Sequence, residues 1–173
     1  VYGDYDTDGI TAVALLFKVL QRLGADAACF VPNRLVEGYG LDLAVLQKEL
    51  GKGTRLVITV DCGISDLAEV RWAQEKGIDL VVTDHHEPPE EIPPAFAVIN
   101  PKCADSGYPF KELAGAGVAL KLGQALLEAA GHGGGAWRDY LDLACLGTIA
   151  DIVPIQGENR ILVKHGLPAL AGS

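Results

Sequence analysis

The sequence contains no methionine and no apolar run of the ~18 to 20 residues that a membrane-spanning helix requires. No basic stretch precedes a short apolar segment and a small-residue cleavage site, the pattern of a secretion signal. These absences predict a soluble, cytoplasmic protein without a membrane partner. Because the chain begins at Val1 within a strand-like run, we also expect it to be a fragment of a longer protein.

Cysteine and basic residues are scarce. The four cysteines, Cys29, Cys62, Cys103 and Cys145, form no C-x-x-C pair, so their spacing suggests neither a zinc ribbon nor a disulfide framework. Fourteen Lys and Arg stand against 23 Asp and Glu, and the net charge of −9 is the wrong sign for holding nucleic acid mainly through a basic surface. An anionic substrate would need local cations from clustered arginines, a basic neighbouring domain or bound metal ions.

Signatures of several other enzyme classes are missing. There is no G-x-x-x-x-G-K-[ST] phosphate loop and no G-x-S-x-G elbow, and residues 115–120 lack the last glycine of a dinucleotide fingerprint. We interpret the glycines of that segment as sites of close helix packing. The length of 173 residues predicts a single domain with its own core.

The chain alternates strand and helix patterns. Short β-branched runs bounded by Gly, Pro, Asn or Asp predict buried parallel strands at residues 1–4, 28–31, 56–60, 80–83 and 96–99. Helical spacing predicts helices at residues 10–23, 41–50 and 65–76, and later at 113–130, 137–149 and 159–167. The predicted fold is therefore α/β, a parallel sheet with helices on both faces, followed by a helical C-terminal segment. Such sheets bind ligands at the carboxyl ends of their strands.

Three aspartates follow the first predicted strand. Asp4, Asp6 and Asp8 alternate along the chain, and on an extended segment their carboxylates would point roughly the same way. A divalent cation would neutralise their repulsion, and hard oxygen ligands suit magnesium or manganese. An Asp-Gly turn is the simpler alternative. An EF-hand loop also begins with this pattern, but Leu15 stands where its bidentate Glu belongs.

Further acidic residues and two histidines follow other predicted elements. Asp61 ends the third strand, where a helix cap or a turn is the more ordinary role for a single Asp. Asp84, His85 and His86 end the fourth strand, and this arrangement offers one imidazole to a metal and one to an anion. Asp151 ends an apolar helix, where the dipole disfavours a carboxylate, so it is either exposed or held by a cation.

Taken together, these segments resemble the DHH phosphoesterases, a family named for the Asp-His-His found here at residues 84–86. The motifs GDYDTDG at residues 3–9, VDCGIS at 60–65 and GTIADIVP at 147–154 occur in the family's order. Residues 31–41, 115–118 and 158–160 are similar to the branch that degrades single-stranded DNA. This resemblance implies a 5′ to 3′ exonuclease that releases nucleoside monophosphates in recombination and repair. It also implies a DHH-associated domain and an oligonucleotide-binding fold beyond residue 173.

The same resemblance implies roles for individual residues. The expected ligands of two divalent ions, Mn²⁺ or Mg²⁺, are Asp6, Asp8, Asp61, His85 and Asp151, with Asp61 bridging. Asp4 is expected to bind through water or to contact the ligands, and Asp84 to orient the histidines. His86 is expected to donate to the substrate phosphate. Asn33 and Arg34 are expected to grip the terminal 5′ phosphate, although an ordinary surface ion pair is the alternative for Arg34. Some relatives carry a metal-binding histidine where this chain has Tyr2.

Three other interpretations remain open. A related DHH enzyme could act on short oligoribonucleotides or cyclic dinucleotides. A non-catalytic replication-fork scaffold would have lost metal ligands, whereas every expected ligand is present here. An α/β domain with an acidic surface would require that the motifs do not meet in space. Single-stranded DNA is the expected partner, other repair proteins are possible ones, and the sequence leaves the oligomeric state open.

Overall fold

A four-stranded parallel sheet lies at the centre of the computed structural model, which describes residues 1–36 and 38–172. Its order is β1 (Tyr2–Gly3), β2 (Leu56–Val60), β3 (Asp79–Thr83) and β4 (Ala97–Ile99). The helices are α1 (Thr7–Arg22), α2 (Leu43–Gly51), α3 (Leu67–Glu75), α4 (Gly115–Ala129), α5 (Leu141–Ala150) and α6 (Gly157–Ala171), with a 3₁₀ turn at Ala136–Tyr140. Glu37, within the 31–41 segment, and Ser173 lie outside the described residues.

Helices cover both faces of the sheet, as predicted. Successive side chains of a strand point to opposite faces, so Val57 and Ile58 of β2 enter two different apolar clusters. The cluster around Val57 includes residues of α2 and α3, and the cluster around Ile58 includes residues of α1, α4 and α5. Burial on both faces explains why β2 and β3 are mostly apolar and do not alternate with charged residues.

The C-terminal part of the chain is helical, which confirms the predicted segment. Helix α5 packs against α1, α4 and α6. A Cβ at Gly166 would clash with Cys145, so the α5–α6 approach requires a glycine there. No helix among residues 1–36 and 38–172 is long and apolar enough to cross a membrane.

Some predicted elements are wrong in type or extent. Residues 28–31 form no strand. Phe30 makes a single bridge to Tyr2, and Pro32 has no N–H with which to continue a ladder. The predicted helix at 137–149 is a 3₁₀ turn followed by α5, which begins at Leu141. Helix α3 begins at Leu67 rather than at residue 65, and β1 ends at Gly3 rather than at residue 4.

Candidate metal centre

Asp4 and Asp6 lie in the β1–α1 connection and Asp8 in the first turn of α1, so the three do not share an extended segment. Helix α1 begins at Thr7, and Asp6 caps it by accepting a hydrogen bond from the Gly9 amide (2.9 Å). Asp8 therefore lies in the first helical turn, which rules out both an Asp-Gly turn and an EF-hand loop over these residues. Because α1 begins only four residues after β1 ends, the chain reverses direction at the carboxyl edge of the sheet. The three carboxylates are therefore close together at that edge.

Asp61 follows β2 in the left-handed region, with a φ of 62°. Its amide donates to the Thr83 carbonyl (3.0 Å), and its side chain is almost completely buried. The next helix begins six residues later, at Leu67, so Asp61 is not a helix cap. Gly115 lies against it, and a Cβ there would come within 2.6 Å of Asp61 Oδ1. This packing holds the Asp61 carboxylate at the carboxyl edge of the sheet.

Asp84 organises the two histidines that follow it. Its Oδ1 accepts hydrogen bonds from the amides of His85 (2.7 Å) and His86 (3.1 Å) and lies 2.6 Å from His86 Nδ1. Its Oδ2 accepts from the Ile64 amide (3.0 Å). A carboxylate with this many donors has little capacity left for a metal, which favours the predicted orienting role.

The predicted metal-binding residues meet at the carboxyl edge of the sheet. His85 Nε2 lies 3.1 Å from Asp61 Oδ1, 3.6 Å from Asp151 Oδ2 and 3.8 Å from Asp8 Oδ2. Three groups offer ligand atoms within 4.8 Å of one another: Asp4, Asp6 and Asp61; Asp8, His85 and Asp151; and Asp61, His85 and His86. The motifs therefore converge, contrary to the interpretation as a plain acidic surface.

The donor atoms of this cluster fit divalent cations. Asp4 Oδ1, Asp61 Oδ1 and His85 Nε2 are buried and accept or donate no hydrogen bond within the described part of the chain. Leaving such groups unsatisfied costs about 1–3 kcal/mol each. Carboxylate oxygens and an imidazole nitrogen are the ligand types that manganese and related ions accept. One or two such ions would satisfy all three atoms.

The pKa values of several side chains in the cluster reflect the crowding of negative charge. Burial, followed by the neighbouring Asp6 carboxylate, raises the pKa of Asp61 to about 9. Burial and the Asp61 carboxylate raise the pKa of Asp8 to about 7. The hydrogen bond to Asp84 raises the pKa of His86 to about 9, so its imidazolium is favoured at neutral pH. These carboxylates cannot all ionise at neutral pH unless a cation compensates their charge.

Two supporting contacts were not predicted from the sequence. The amides of Gly115 and Ala116, at the start of α4, donate to Asp8 Oδ2 (2.6 Å) and Oδ1 (2.9 Å). Gly115 therefore serves the cluster rather than helix packing alone. Asn159 is fully buried, and its Nδ2 donates to the carbonyls of Glu112 (2.5 Å) and Pro154 (3.1 Å). It ties the segment after Asp151 to the segment before α4; the 158–160 resemblance was the only sequence signal for it.

The predicted phosphate-binding residues lie beside the Asp4–Asp6 loop. The guanidinium carbon of Arg34 is 5.2 Å from the Tyr5 ring centroid, and both Asn33 and Arg34 are exposed. Within the described residues Arg34 forms no ion pair. Asn33 Oδ1 accepts from the Leu35 amide (2.9 Å). The cluster and the exposed arginine are thus on adjoining loops.

Two tyrosines hold the loop of residues 38–42 near the cluster. Tyr39 was not singled out from the sequence, and its hydroxyl lies 3.2 Å from His86 Nδ1. Tyr2 is buried away from the cluster, where its hydroxyl donates to the Gly40 carbonyl (3.0 Å) and accepts from the Asp42 amide (3.2 Å). Tyr2 therefore does not occupy a ligand position and instead anchors the end of this loop.

Comparison with protein families identifies the chain. Residues 1–148 match the model of the DHH family, N-terminal domain. The chain belongs to the DHH family. Over 170 residues the DHH chain is 45% identical to the single-stranded-DNA-specific exonuclease RecJ of Bacillus subtilis, a match covering 98% of this chain and 21% of the relative.

Two solved structures of relatives share the fold. The DHH chain superposes on a crystal structure of exonuclease RecJ bound to manganese with a TM-score of 0.87 and 45% identity, over 96% of this chain and 42% of that one. RecJ from Thermus thermophilus in complex with Mn²⁺ gives a TM-score of 0.83 and 40% identity, over 99% of this chain and 24% of that one. The DHH chain thus spans less than half the length of these relatives.

Gly147 on α5 tests how tightly the DHH cluster is packed. A Cβ there would lie 2.5 Å from both Asp8 Oδ1 and Thr11 Oγ1. We expect Gly147→Ala to lower the free energy of unfolding by about 1–3 kcal/mol and to weaken manganese affinity by about 10- to 100-fold, because Asp8 must shift. Chemical denaturation and calorimetry measure these effects.

The matched control is Gly51→Ala, in the last turn of α2. Beyond its chain neighbours and its own helix backbone, no atom lies within 4 Å of a Cβ at Gly51, so the variant should keep or slightly raise the free energy of unfolding and leave manganese affinity unchanged. Equal manganese affinity in Gly147→Ala and the wild type would contradict the proposed close packing of Asp8.

Proposed function

We propose that this chain is the catalytic domain of a single-stranded-DNA-specific exonuclease. It hydrolyses phosphodiester bonds from the 5′ end, releases nucleoside 5′-monophosphates and acts in DNA recombination and repair. The observation that carries the proposal is the buried cluster of unpartnered ligand atoms around His85, with the exposed Arg34 over Tyr5 on an adjoining loop. The 45% identity to RecJ names the substrate class.

Two divalent ions, Mn²⁺ or Mg²⁺, are the proposed cofactors, and both related RecJ structures are bound to manganese. The residues proposed to hold them are Asp6, Asp8, Asp61, His85 and Asp151. Asp61 belongs to one group with Asp4 and Asp6 and to another with His85, which supports its role as the bridge. The buried, unpartnered Oδ1 of Asp4 makes this residue as good a candidate for direct binding as for a water-mediated contact.

Ions in this position supply the Lewis-acid charge that polarises a phosphodiester and makes water a stronger nucleophile near neutral pH. His86 has a separate task. Because its Nδ1 is held by Asp84, its Nε2 is left to donate to a nonbridging phosphate oxygen. The raised pKa of His86 keeps the imidazolium charged, and a charge-assisted donor stabilises the negative charge of the transition state.

Arg34 is the proposed receptor for the terminal 5′ phosphate. A guanidinium can grip a phosphate with two parallel hydrogen bonds, and the Tyr5 ring beneath Arg34 restricts its orientation. Asn33, the preceding residue, contributes to the same loop. A chain with a net charge of −9 needs such local cations, and the rest of the full-length protein is expected to supply more.

The non-catalytic alternative gains no support from the site. A scaffold that binds no metal would have no use for three buried, unpartnered donor and acceptor atoms, which only reduce its stability. No contact of the described residues favours short oligoribonucleotides or cyclic dinucleotides over DNA.

The test is digestion of end-labelled oligonucleotides by the full-length protein with manganese. A 5′ label should appear at once as mononucleotide, whereas a 3′-labelled strand should shorten gradually. Duplex DNA, short oligoribonucleotides and cyclic dinucleotides are parallel substrates. Immediate release of a 3′ label would show that cleavage starts at the 3′ end and not at the 5′ end. Faster cleavage of the oligoribonucleotides or the cyclic dinucleotides would favour the related phosphodiesterase over the exonuclease.

A further inference from the structure

Ile152 combines two unusual features at the edge of the cluster. It follows Asp151, the residue that ends α5, and its φ is 60°, in the left-handed region. Its side chain is 88% exposed, so it gains almost nothing from burial within the described residues. Both features are unfavourable. A β-branched residue rarely adopts a left-handed backbone, and an apolar side chain is usually buried.

A different residue would be expected here if stability alone mattered. Helices commonly end with a left-handed residue directly after the cap, and glycine is preferred because it has no Cβ to clash. A β-branched residue is a genuine outlier there. Within residues 1–36 and 38–172, Asp61 and Ile152 are the only non-glycine residues with positive φ, and both adjoin the metal cluster. Backbone strain of this kind gathers at functional sites.

The position of Ile152 limits what it can contact. The neighbouring Asp151 places Oδ2 3.6 Å from His85 Nε2, and consecutive Cα atoms are about 3.8 Å apart. Ile152 is therefore within one residue of the proposed cleavage centre. A single strand bound there presents phosphates to the cations and leaves the apolar faces of its bases exposed. Apart from the proposed cations, Arg34 and His86, the acidic surface repels phosphates, so apolar contacts with base faces are a further source of affinity.

We propose that Ile152 packs against a nucleobase beside the scissile phosphodiester and so positions the strand for cleavage. The inference rests on the proposed exonuclease function. The contact does not read base identity, because an aliphatic side chain packs on the face of any base. Ile152 is a positioning residue, and the chemistry remains with the cluster.

The experiment uses Ile152→Gly in the full-length protein. Glycine removes the side chain and also relieves the left-handed backbone, so the melting temperature should be equal or higher. The KM for single-stranded DNA should rise about tenfold, the loss expected for one buried apolar contact. On a strand whose first two nucleotides at the 5′ end are abasic, wild type and variant should have nearly equal KM, because the contact is absent from both.

Ile92→Gly is the matched control, since Ile92 is a partly exposed isoleucine in the loop before β4. It should leave both KM values unchanged. An unchanged KM for normal DNA in Ile152→Gly would overturn the proposal. So would a lower melting temperature, which would mean that Ile152 packs against another part of the full-length protein. If the wild type degrades no single-stranded DNA, the exonuclease function fails as well.

Discussion

Replacing Asp61 with asparagine is expected to lower exonuclease activity of the full-length protein by at least about 10³-fold, more than the loss of one transition-state donor. Asp61 Oδ1 lies 3.1 Å from His85 Nε2 and belongs to two of the three ligand groups, so its loss affects both proposed ion positions. Asparagine is preferred to alanine because Asn tolerates a φ of 62° better than other residues do.

Manganese-dependent thermal stability provides a second measurement for Asp61. The wild type should gain about 2.7 kcal/mol at a manganese concentration 100 times Kd, and the variant should gain much less. Without metal, Asp61→Asn should be no less stable than the wild type, because one buried carboxylate has been removed from a crowded group.

Asp79→Asn is the control for charge. Asp79 is exposed at the first residue of β3, at the opposite edge of the sheet, and its replacement makes the same change in net charge. It should retain normal activity and a normal response to manganese. An Asp61→Asn enzyme with a normal manganese response and more than a few per cent of wild-type rate would contradict the bridging role.

The two adjacent histidines are expected to differ in what their removal changes. His86→Ala should lower the cleavage rate by about 10²- to 10³-fold while leaving manganese affinity nearly unchanged, because His86 donates to the developing charge. His85→Ala should weaken manganese binding, because its buried Nε2 is one of the unpartnered atoms of the cluster. Calorimetric titration with manganese separates these effects from single-turnover rates.

Asp84→Asn tests whether Asp84 orients His86 and keeps it charged. Oδ1 of Asp84 lies 2.6 Å from His86 Nδ1, so the variant should reduce the rate as His86→Ala does and also lower the pKa of His86. For the two histidine variants, the contradicting result is that His86→Ala loses an ion while His85→Ala keeps both. That result would exchange the two roles and remove the proposed phosphate contact.

Much of the site follows from local sequence. The runs at residues 56–60 and 80–83 are apolar except for one threonine in each, which indicates strands buried on both faces and therefore parallel. Parallel strands place their carboxyl ends at one edge, so Asp61 and the Asp84–His86 motif had to be neighbours. The family motifs supplied the remaining members, Asp6, Asp8 and Asp151.

Other features depend on contacts that no local pattern records. The alternation of Asp4, Asp6 and Asp8 suggested an extended segment, but packing of α1 on the sheet makes residue 7 the start of a helix. The run at 28–31 had a strand pattern, yet β1 is too short and Pro32 too close for a ladder to form. Asn159 joins the nearby Pro154 carbonyl to the Glu112 carbonyl 47 residues away, so its function could not be inferred from its neighbours in sequence.

Fold class and strand order along the chain were thus encoded locally, because they depend on hydrophobic periodicity, whereas the proposed ligand set came from the family motifs. The geometry of the cluster required long-range packing. Gly115 and Gly147 admit α4 and α5 close to Asp61 and Asp8, and the α4 amides hold the Asp8 carboxylate. The left-handed backbones of Asp61 and Ile152 are likewise unfavourable locally and persist because the surrounding structure holds them.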